Sequence, residues 1–232
     1  MSKKKANHTE DRSPEPSRYV TPEGAEAEFE PDSHERVLRN RLHIRRKREM
    51  DRVEFDALLR AQEEYLRRIN SDTRLTAEML RQMHRYWLGG IYEWAGQYRT
   101  VELAKGDFHW PPAFRVAENM DAFEKGILAR CTPRRPGPLA QVARCMAEVH
   151  AELLLIHPFR EGNGRLARWV SDVMAFQAGL LAPDYGFTGR DAGKRCAAYL
   201  EAVRRGYVQD YETLADFFVE ALERRLRKRP RG

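Results

Sequence analysis

From Lys47 onward, apolar side chains recur at steps of three and four residues, the period that gathers one face of an α-helix. Met50, Val53, Leu58, Gln62, Tyr65, Leu66 and Ile69 define the first stripe. The second has a marked start: Thr76 is placed to cap it, with Leu75 and Leu80 as a hydrophobic staple. Its apolar face runs through Met79, Leu80, Met83 and Trp87 and stops at Gly89-Gly90. The period then changes to two over Thr100-Val101-Glu102-Leu103. Lys105-Gly106-Asp107 supplies a turn before Phe108-His109-Trp110, which together predict a β-hairpin. Pro111-Pro112 withholds two backbone donors, so the second strand must stop there or lie at an edge. Helical spacing returns at Val116, Met120, Phe123 and Ile127, and Pro133, Pro136 and Pro138 break it. Val142, Met146, Val149, Leu153 and Ile156 form the strongest stripe of the chain. Leu166, Trp169, Val170, Val173 and Met174 mark another helix, and Tyr199, Leu200 and Val203 a later one. Leu214, Phe217, Phe218, Ala221 and Leu222 mark the last. The pattern predicts an all-α domain carrying one small β-hairpin.

The ends read differently. Residues 1–34 are rich in Pro, Glu and Ser and poor in apolar side chains, which predicts an arm that is disordered or draped over the core. The folded domain is expected over 35–222 and a basic tail over 223–232. No apolar run approaches the roughly 18 residues needed to span a bilayer. The start, Met1-Ser2-Lys3-Lys4-Lys5, leads into no apolar stretch, so it does not read as a signal peptide. Three widely spaced cysteines suit reduced thiols better than a disulfide framework, and the chain reads as cytoplasmic. The net charge of +6 equals the six bases Arg224, Arg225, Arg227, Lys228, Arg229 and Arg231, while the basic block Arg36 to Arg52 is offset by the acidic stretch Glu10 to Asp32. A dedicated DNA-binding domain carries its charge on one folded face, so this distribution argues against a nucleic-acid partner.

Between the two strongest helices stands His157-Pro158-Phe159-Arg160-Glu161-Gly162-Asn163-Gly164-Arg165. Gly162, Asn163 and Gly164 tolerate positive φ, and a helix follows at once. Successive N–H groups in such a turn, aimed by a helix N-terminus, make an anion-binding nest. Arg165 and Arg168 fall in the first turn, where the helix dipole disfavours each cation by about 0.3–1 kcal/mol. A bound polyphosphate would offset that repulsion, and guanidinium grips phosphate bidentately. A glycine cap with solvent-facing arginines is the plainer reading of the same residues. Glu161 beside a phosphate nest makes sense if Mg²⁺ joins them, since Mg²⁺ accepts one carboxylate plus phosphate oxygens. His157, with an ordinary pKa near ~6.5, is the natural proton acceptor. His150, one heptad earlier, reads as buried, and His43, His84 and His109 show no metal-ligand spacing.

The run His157 to Arg168 resembles the complete Fic motif, His-x-Phe-x-[Asp/Glu]-Gly-Asn-Gly-Arg-x-x-Arg, with every specified position matched. The likeness extends upstream through Gly90-Ile91-Tyr92-Glu93-Trp94-Ala95-Gly96-Gln97-Tyr98-Arg99 and covers about Glu54 to Leu222. It implies a Fic-type helical bundle with a hairpin flap, and transfer of the AMP moiety of ATP to a Ser, Thr or Tyr hydroxyl. Carried over, His157 deprotonates the target hydroxyl and Glu161 holds Mg²⁺. Gly162, Asn163 and Gly164 form the anion hole, Arg165 contacts the phosphates and Arg168 pairs with the γ-phosphate. Phe159 anchors the loop in the core, and Lys105 and Gly106 of the flap lie near the nucleotide. The target protein is expected to dock along the 100–112 hairpin by adding a strand.

Two other readings compete. One is a different phosphate-containing transfer on the same scaffold, such as the kinase reaction of Doc relatives, which usually carry a lysine near the position of Gly164. The other is a non-catalytic nucleotide-binding regulator, against which an intact His157 and Glu161 argue. Many Fic proteins also resemble one another in an inhibitory helix, [Ser/Thr]-x-x-x-Glu-[Gly/Asn]; here no Ser or Thr has Glu four residues later. The resemblance therefore implies a toxin-like chain restrained by a small antitoxin-like partner that lends a Glu to Arg168. Obstruction by the acidic arm is the alternative.

Overall fold

The stripes fold into α1 (Lys47–Arg68), α2 (Ala77–Leu88), α3 (Val116–Phe123), α4 (Ala129–Cys131), α5 (Leu139–Ile156), α6 (Asn163–Gln177), α7 (Ala192–Gly206) and α8 (Glu212–Arg227), seen in a computed structural model that describes residues 26–228. Residues 1–25 of the expected arm and 229–232 of the tail lie outside the described residues. Helix α5 is central, and α3, α6, α7 and α8 pack around it. Its stripe is widened by the buried Ala143, Ala147 and Ala151, whose small side chains let neighbours approach closely. Gly206 of α7 uses that space: a Cβ there would lie 2.5 Å from the Ala151 Cβ. Thr76 caps α2 by accepting from the Met79 N–H at 3.1 Å, and Leu75 and Leu80 are both buried beside it. A π-helical turn, Glu124–Leu128, joins α3 to α4, and the proline-rich stretch ends at Pro138, immediately before α5.

Two elements differ from the periodicity. On α1 the inward face is Met50, Glu54, Leu58, Ala61 and Tyr65, while Leu66 is exposed. A carboxylate thus occupies a core position that hydrophobicity alone assigns to an apolar neighbour. The hairpin is shorter than expected: β1 (Ala104–Lys105) pairs antiparallel with β2 (Phe108–His109) around Gly106-Asp107. Val101 and Leu103 alternate as a strand would, but they bury with Trp110 in a small cluster beneath the hairpin. Trp110 N–H still donates to Leu103 at 3.1 Å, extending the contact past the paired strands.

The described part of the N-terminal segment lies on the core. Phe29 and Leu38 form an antiparallel bridge, and Val37 and Leu38 are buried. The Glu26 carboxylate accepts from Thr100 N–H at 3.1 Å, and its carbonyl accepts from Arg160 Nε at 2.7 Å. That clamp sets residue 26 directly against the motif loop. At the other end Arg224 Nε donates to the Asp184 carbonyl at 3.1 Å and Lys228 pairs with the Asp184 carboxylate at 2.6 Å. No helix among the described residues is long and apolar enough to cross a membrane.

Candidate active site

Helix α5 ends at Ile156, and His157 takes a left-handed conformation (φ 50°, ψ 60°) that turns the chain out of the helix. The loop is then pinned from inside. Phe159 is fully buried and stacks on His84 with ring centroids 4.0 Å apart. Asn163 closes the turn on itself, accepting from Phe159 N–H at 2.9 Å and donating to Phe159 O at 2.7 Å. Gly162 caps α6 at φ 83°, and a Cβ there would stand 2.9 Å from the Trp87 ring, so glycine is required twice over. His84 holds the loop from α2: its Nε2–H donates to Glu161 O at 3.0 Å and its Nδ1 accepts from Gly96 N–H at 2.9 Å. Burial lowers its pKa to about 4, and a second proton would forfeit the Gly96 bond.

His157 is oriented by its own helix. Its Nδ1 faces the Leu154 carbonyl at 3.1 Å. A carbonyl only accepts, so Nδ1 carries the proton and Nε2 keeps the lone pair. Trp110 braces the ring from 4.2 Å and donates its indole N–H to the same carbonyl at 3.0 Å. Arg99 is buried and fastens the strand side of the hairpin to this corner. Its Nε donates to His157 O at 2.8 Å, and its other nitrogens donate to Val101 O and Pro111 O. Burial depresses the His157 pKa to about 4, outweighing the Leu154 contact, so the imidazole is neutral at physiological pH.

The two motif arginines part company. Arg165 turns to the α1 side, pairing with the buried Glu54 at 2.6 Å and with Glu161 at 3.4 Å, its guanidinium 4.7 Å over the Trp87 ring. Glu54 also accepts from Tyr92 O–H at 2.6 Å. Burial would raise the Glu161 carboxyl, but Arg165 and the Gly162 N–H outweigh it and hold the pKa below the usual carboxylate range. Both contacts use Glu161 Oε1; Oε2 takes part in neither. Arg168 instead lies across the glycine loop, Nη1 being 3.7 Å from where a Gly164 Cβ would stand, and 5.9 Å over Phe187.

A cavity of about 580 Å³ opens above this loop, within the roughly 300–1,000 Å³ range of ligand pockets. His157, Glu161, Gly162, Asn163, Gly164 and Arg168 form its floor, and Lys105 and Gly106 reach it from the hairpin. Of the residues assigned from sequence, Arg165 alone is not among those lining it. The far wall comes from α7 through Tyr199, Leu200, Val203 and Arg204, with Tyr207 just beyond. Phe108 of the hairpin stacks on Tyr207 at 5.1 Å, so the flap closes over the end of α7. A depression of about 640 Å³ near Asp32 and Arg46 is larger, but it contains none of the motif residues.

Sequence reasoning missed Glu54, Arg99 and His84 as parts of this site. Glu54 had a signal, an acid at a stripe position of α1. His84 falls on the buried face of α2. Arg99 follows a turn and no periodicity marks it. Tyr199 of the α7 stripe lines the cavity, whereas Tyr211, just before α8, packs beside Arg144. His150 is fully buried, contacting Ser171 at 3.0 Å and the Tyr199 hydroxyl at 2.7 Å.

A model of the Fic/DOC family matches residues 74–175, from the turn before α2 into α6. The probable protein adenylyltransferase y4lH of Sinorhizobium fredii is 36% identical over 140 residues, 58% of this chain and 67% of the relative. The probable protein adenylyltransferase Fic of Escherichia coli is 28% identical over 158 residues, 62% of this chain and 70% of the relative. Among solved structures, the BepC protein of Bartonella tribocorum, determined with bound AMPPNP, superposes with a TM-score of 0.63 at 20% identity, covering 79% of this chain and 91% of that one. At that identity the likeness is one of fold.

Proposed function

The chain belongs to the Fic/DOC family, and we propose that it transfers the AMP moiety of ATP to a hydroxyl of a target protein. Relatives named protein adenylyltransferases support a nucleotidyltransferase. The observation that carries the reading is the convergence of the His157 imidazole, the Gly162–Gly164 turn and Arg168 on one cavity.

His157 Nε2 takes the proton of the target hydroxyl as its oxygen attacks the α-phosphorus of ATP. The bond from that phosphorus to the β-bridging oxygen breaks, and pyrophosphate leaves. The N-terminus of α6, turned by Gly162, offers the N–H groups of Asn163 and Gly164 to the phosphate charge, while the Gly162 N–H is held by Glu161. Arg168 is assigned to the γ-phosphate, and Lys105 and Gly106 to the nucleotide from above. We assign Arg165 to Glu161, whose carboxylate it keeps ionised and oriented, in place of the direct phosphate contact implied by the motif. Glu161 suits Mg²⁺: it is a single ionised carboxylate on the cavity floor, and among the described residues no cluster of three His, Cys, Asp or Glu could hold a metal by itself. Mg²⁺ would share Glu161 with phosphate oxygens and neutralise their charge.

Incubation with a cell extract and ATP labelled at either the α- or the γ-phosphate tests the reading. Label retained on protein from the α position is expected. Label from γ would identify a kinase, and none from either would leave a nucleotide-binding regulator.

We further infer a toxin-like role, with a separate small protein lending a carboxylate to Arg168. No carboxylate among the described residues forms an ion pair with that guanidinium, which is where an inhibitor would compete with γ-phosphate. Removing residues 1–25 keeps Glu26 and its contacts to Thr100 and Arg160 in place. Transfer by this truncated chain should match the full chain. A large gain without any partner would show that the arm itself is the inhibitor.

A further inference from the structure

The motif loop is held in two halves. Residues 161–164 are pinned by His84, by the Trp87 ring and by the Asn163 side chain. The half that carries His157 is held by different contacts. Arg99 N–H donates to Pro158 O and its Nε to His157 O, both at 2.8 Å. The next residue, Thr100, donates its N–H to the Glu26 carboxylate at 3.1 Å, and the Glu26 carbonyl accepts from Arg160 Nε at 2.7 Å. These bonds close a circuit through residues 26, 99–100 and 157–160. Ala27 adds an apolar contact to the cluster of Val101, Leu103 and Trp110, and the Trp110 ring braces His157.

Residues 26–44 form a clasp that keeps Glu26 in place. Phe29 bridges Leu38, and Glu30 Oε1 accepts from Asn40 N–H at 2.9 Å. The Asn40 side chain bonds Leu38 O, Ile44 O and the N–H groups of Leu42 and Ile44. Arg41 N–H fastens the clasp to Ile91 O at 2.8 Å. The circuit also buries charge that stability does not require. Glu26, Arg99 and Arg160 are all buried, and apolar residues of similar volume in such places are often neutral or stabilising. Burial raises the Glu26 pKa, and the Thr100 bond offsets this only in part. The position therefore uses the acceptor more than the charge. We propose that Glu26 is a positioning residue for the transfer reaction, holding the His157 half of the motif loop through Thr100 and Arg160. It is not among the residues lining the cavity, so it acts through the backbone of residues 157–160. Its effect on rate rests on the AMP-transfer reading, whereas its hold on the loop does not.

In the full chain, Glu26→Ala should lower kcat between about tenfold and a hundredfold, the effect of an ångström-scale misplacement, with ATP affinity by calorimetry within about twofold. Glu26→Gln keeps an acceptor for Thr100 and should hold kcat within about threefold of wild type. Arg160→Met opens the circuit on its other side and should give the same split between kcat and ATP affinity. The double variant should lose no more than the larger single loss, because both changes act on one circuit. Amide hydrogen exchange needs neither nucleotide nor target. With Glu26→Ala it should quicken at Arg99 and Phe159 by about tenfold and stay unchanged along α6. A kcat for Glu26→Ala within about threefold of wild type would overturn the proposal. So would equal losses of kcat and ATP affinity, a Gln variant as slow as the Ala variant, or faster exchange throughout α5 and α6. If the wild-type chain transfers no AMP, exchange still decides the clasp: unchanged protection at Arg99 and Phe159 overturns its hold on the loop, and faster exchange there supports it.

Discussion

Replacing His157 with alanine is expected to reduce AMP transfer at least a thousandfold, near the upper part of the roughly 10²–10⁴ range of general-base contributions, while leaving ATP affinity within about twofold. The asymmetry follows from the site. The imidazole is held by the Leu154 carbonyl and the Trp110 ring, with Nε2 as its remaining nitrogen, whereas phosphate binding is assigned to the glycine turn and Arg168. Calorimetric ATP titration beside a labelling assay separates the two. Transfer within tenfold of wild type would remove His157 from the role of base. The pH profile supplies a second check. An ordinary histidine would lose its lone pair as pH falls through ~6.5. Burial brings the His157 pKa to about 4, so the base stays neutral well below that pH. For the folded protein, kcat/KM should remain flat down to about pH 5, with any protonation limb nearer 4. A limb near 6.5 would mean that solvent reaches the imidazole.

Helix existence was legible because the apolar stripes of α2, α5 and α8 are regular and their ends are marked by Thr76, Gly89 and Pro138. The motif loop was legible because its residues are contiguous, and contiguity brings them to one turn without tertiary knowledge. What periodicity could not deliver was the counter-charge. From sequence, two arginines in the first turn of α6 call for an external polyanion. In the folded chain, Glu54 of α1 answers Arg165 from more than a hundred residues away, and only Arg168 is left on the cavity floor. The hairpin shows the same limit at shorter range. Val101 and Leu103 alternate like strand residues, yet they serve a small core under Trp110, and pairing shifts to Ala104–Lys105. Arg99 sits where no pattern announces it, because its work is done through backbone carbonyls.

Removing that hidden counter-charge should produce the largest loss of stability. Glu54 is buried, and its carboxylate meets Arg165 at 2.6 Å and the Tyr92 hydroxyl at 2.6 Å. With Glu54→Ala, Arg165 becomes a largely buried cation and Tyr92 loses its acceptor. Deleting one partner of a buried ion pair costs roughly 3–5 kcal/mol. The Arg165 side chain remains 25% exposed and keeps Glu161 at 3.4 Å, which sets the expectation at the lower end. Urea denaturation should therefore show a loss of about 3 kcal/mol, with Glu54→Gln losing less because it keeps an acceptor for Tyr92. Function should respond in a particular way. Deprived of Glu54, Arg165 leans on Glu161 and draws that carboxylate from the cavity, so the Mg²⁺ concentration for half-maximal transfer should rise about tenfold, as when an outer-shell partner of a metal ligand is lost. Measured at a temperature where both proteins are fully folded, an unchanged Mg²⁺ requirement would show that Arg165 does not position Glu161. A stability loss under about 1 kcal/mol would show that water, and not Glu54, is the effective partner of Arg165.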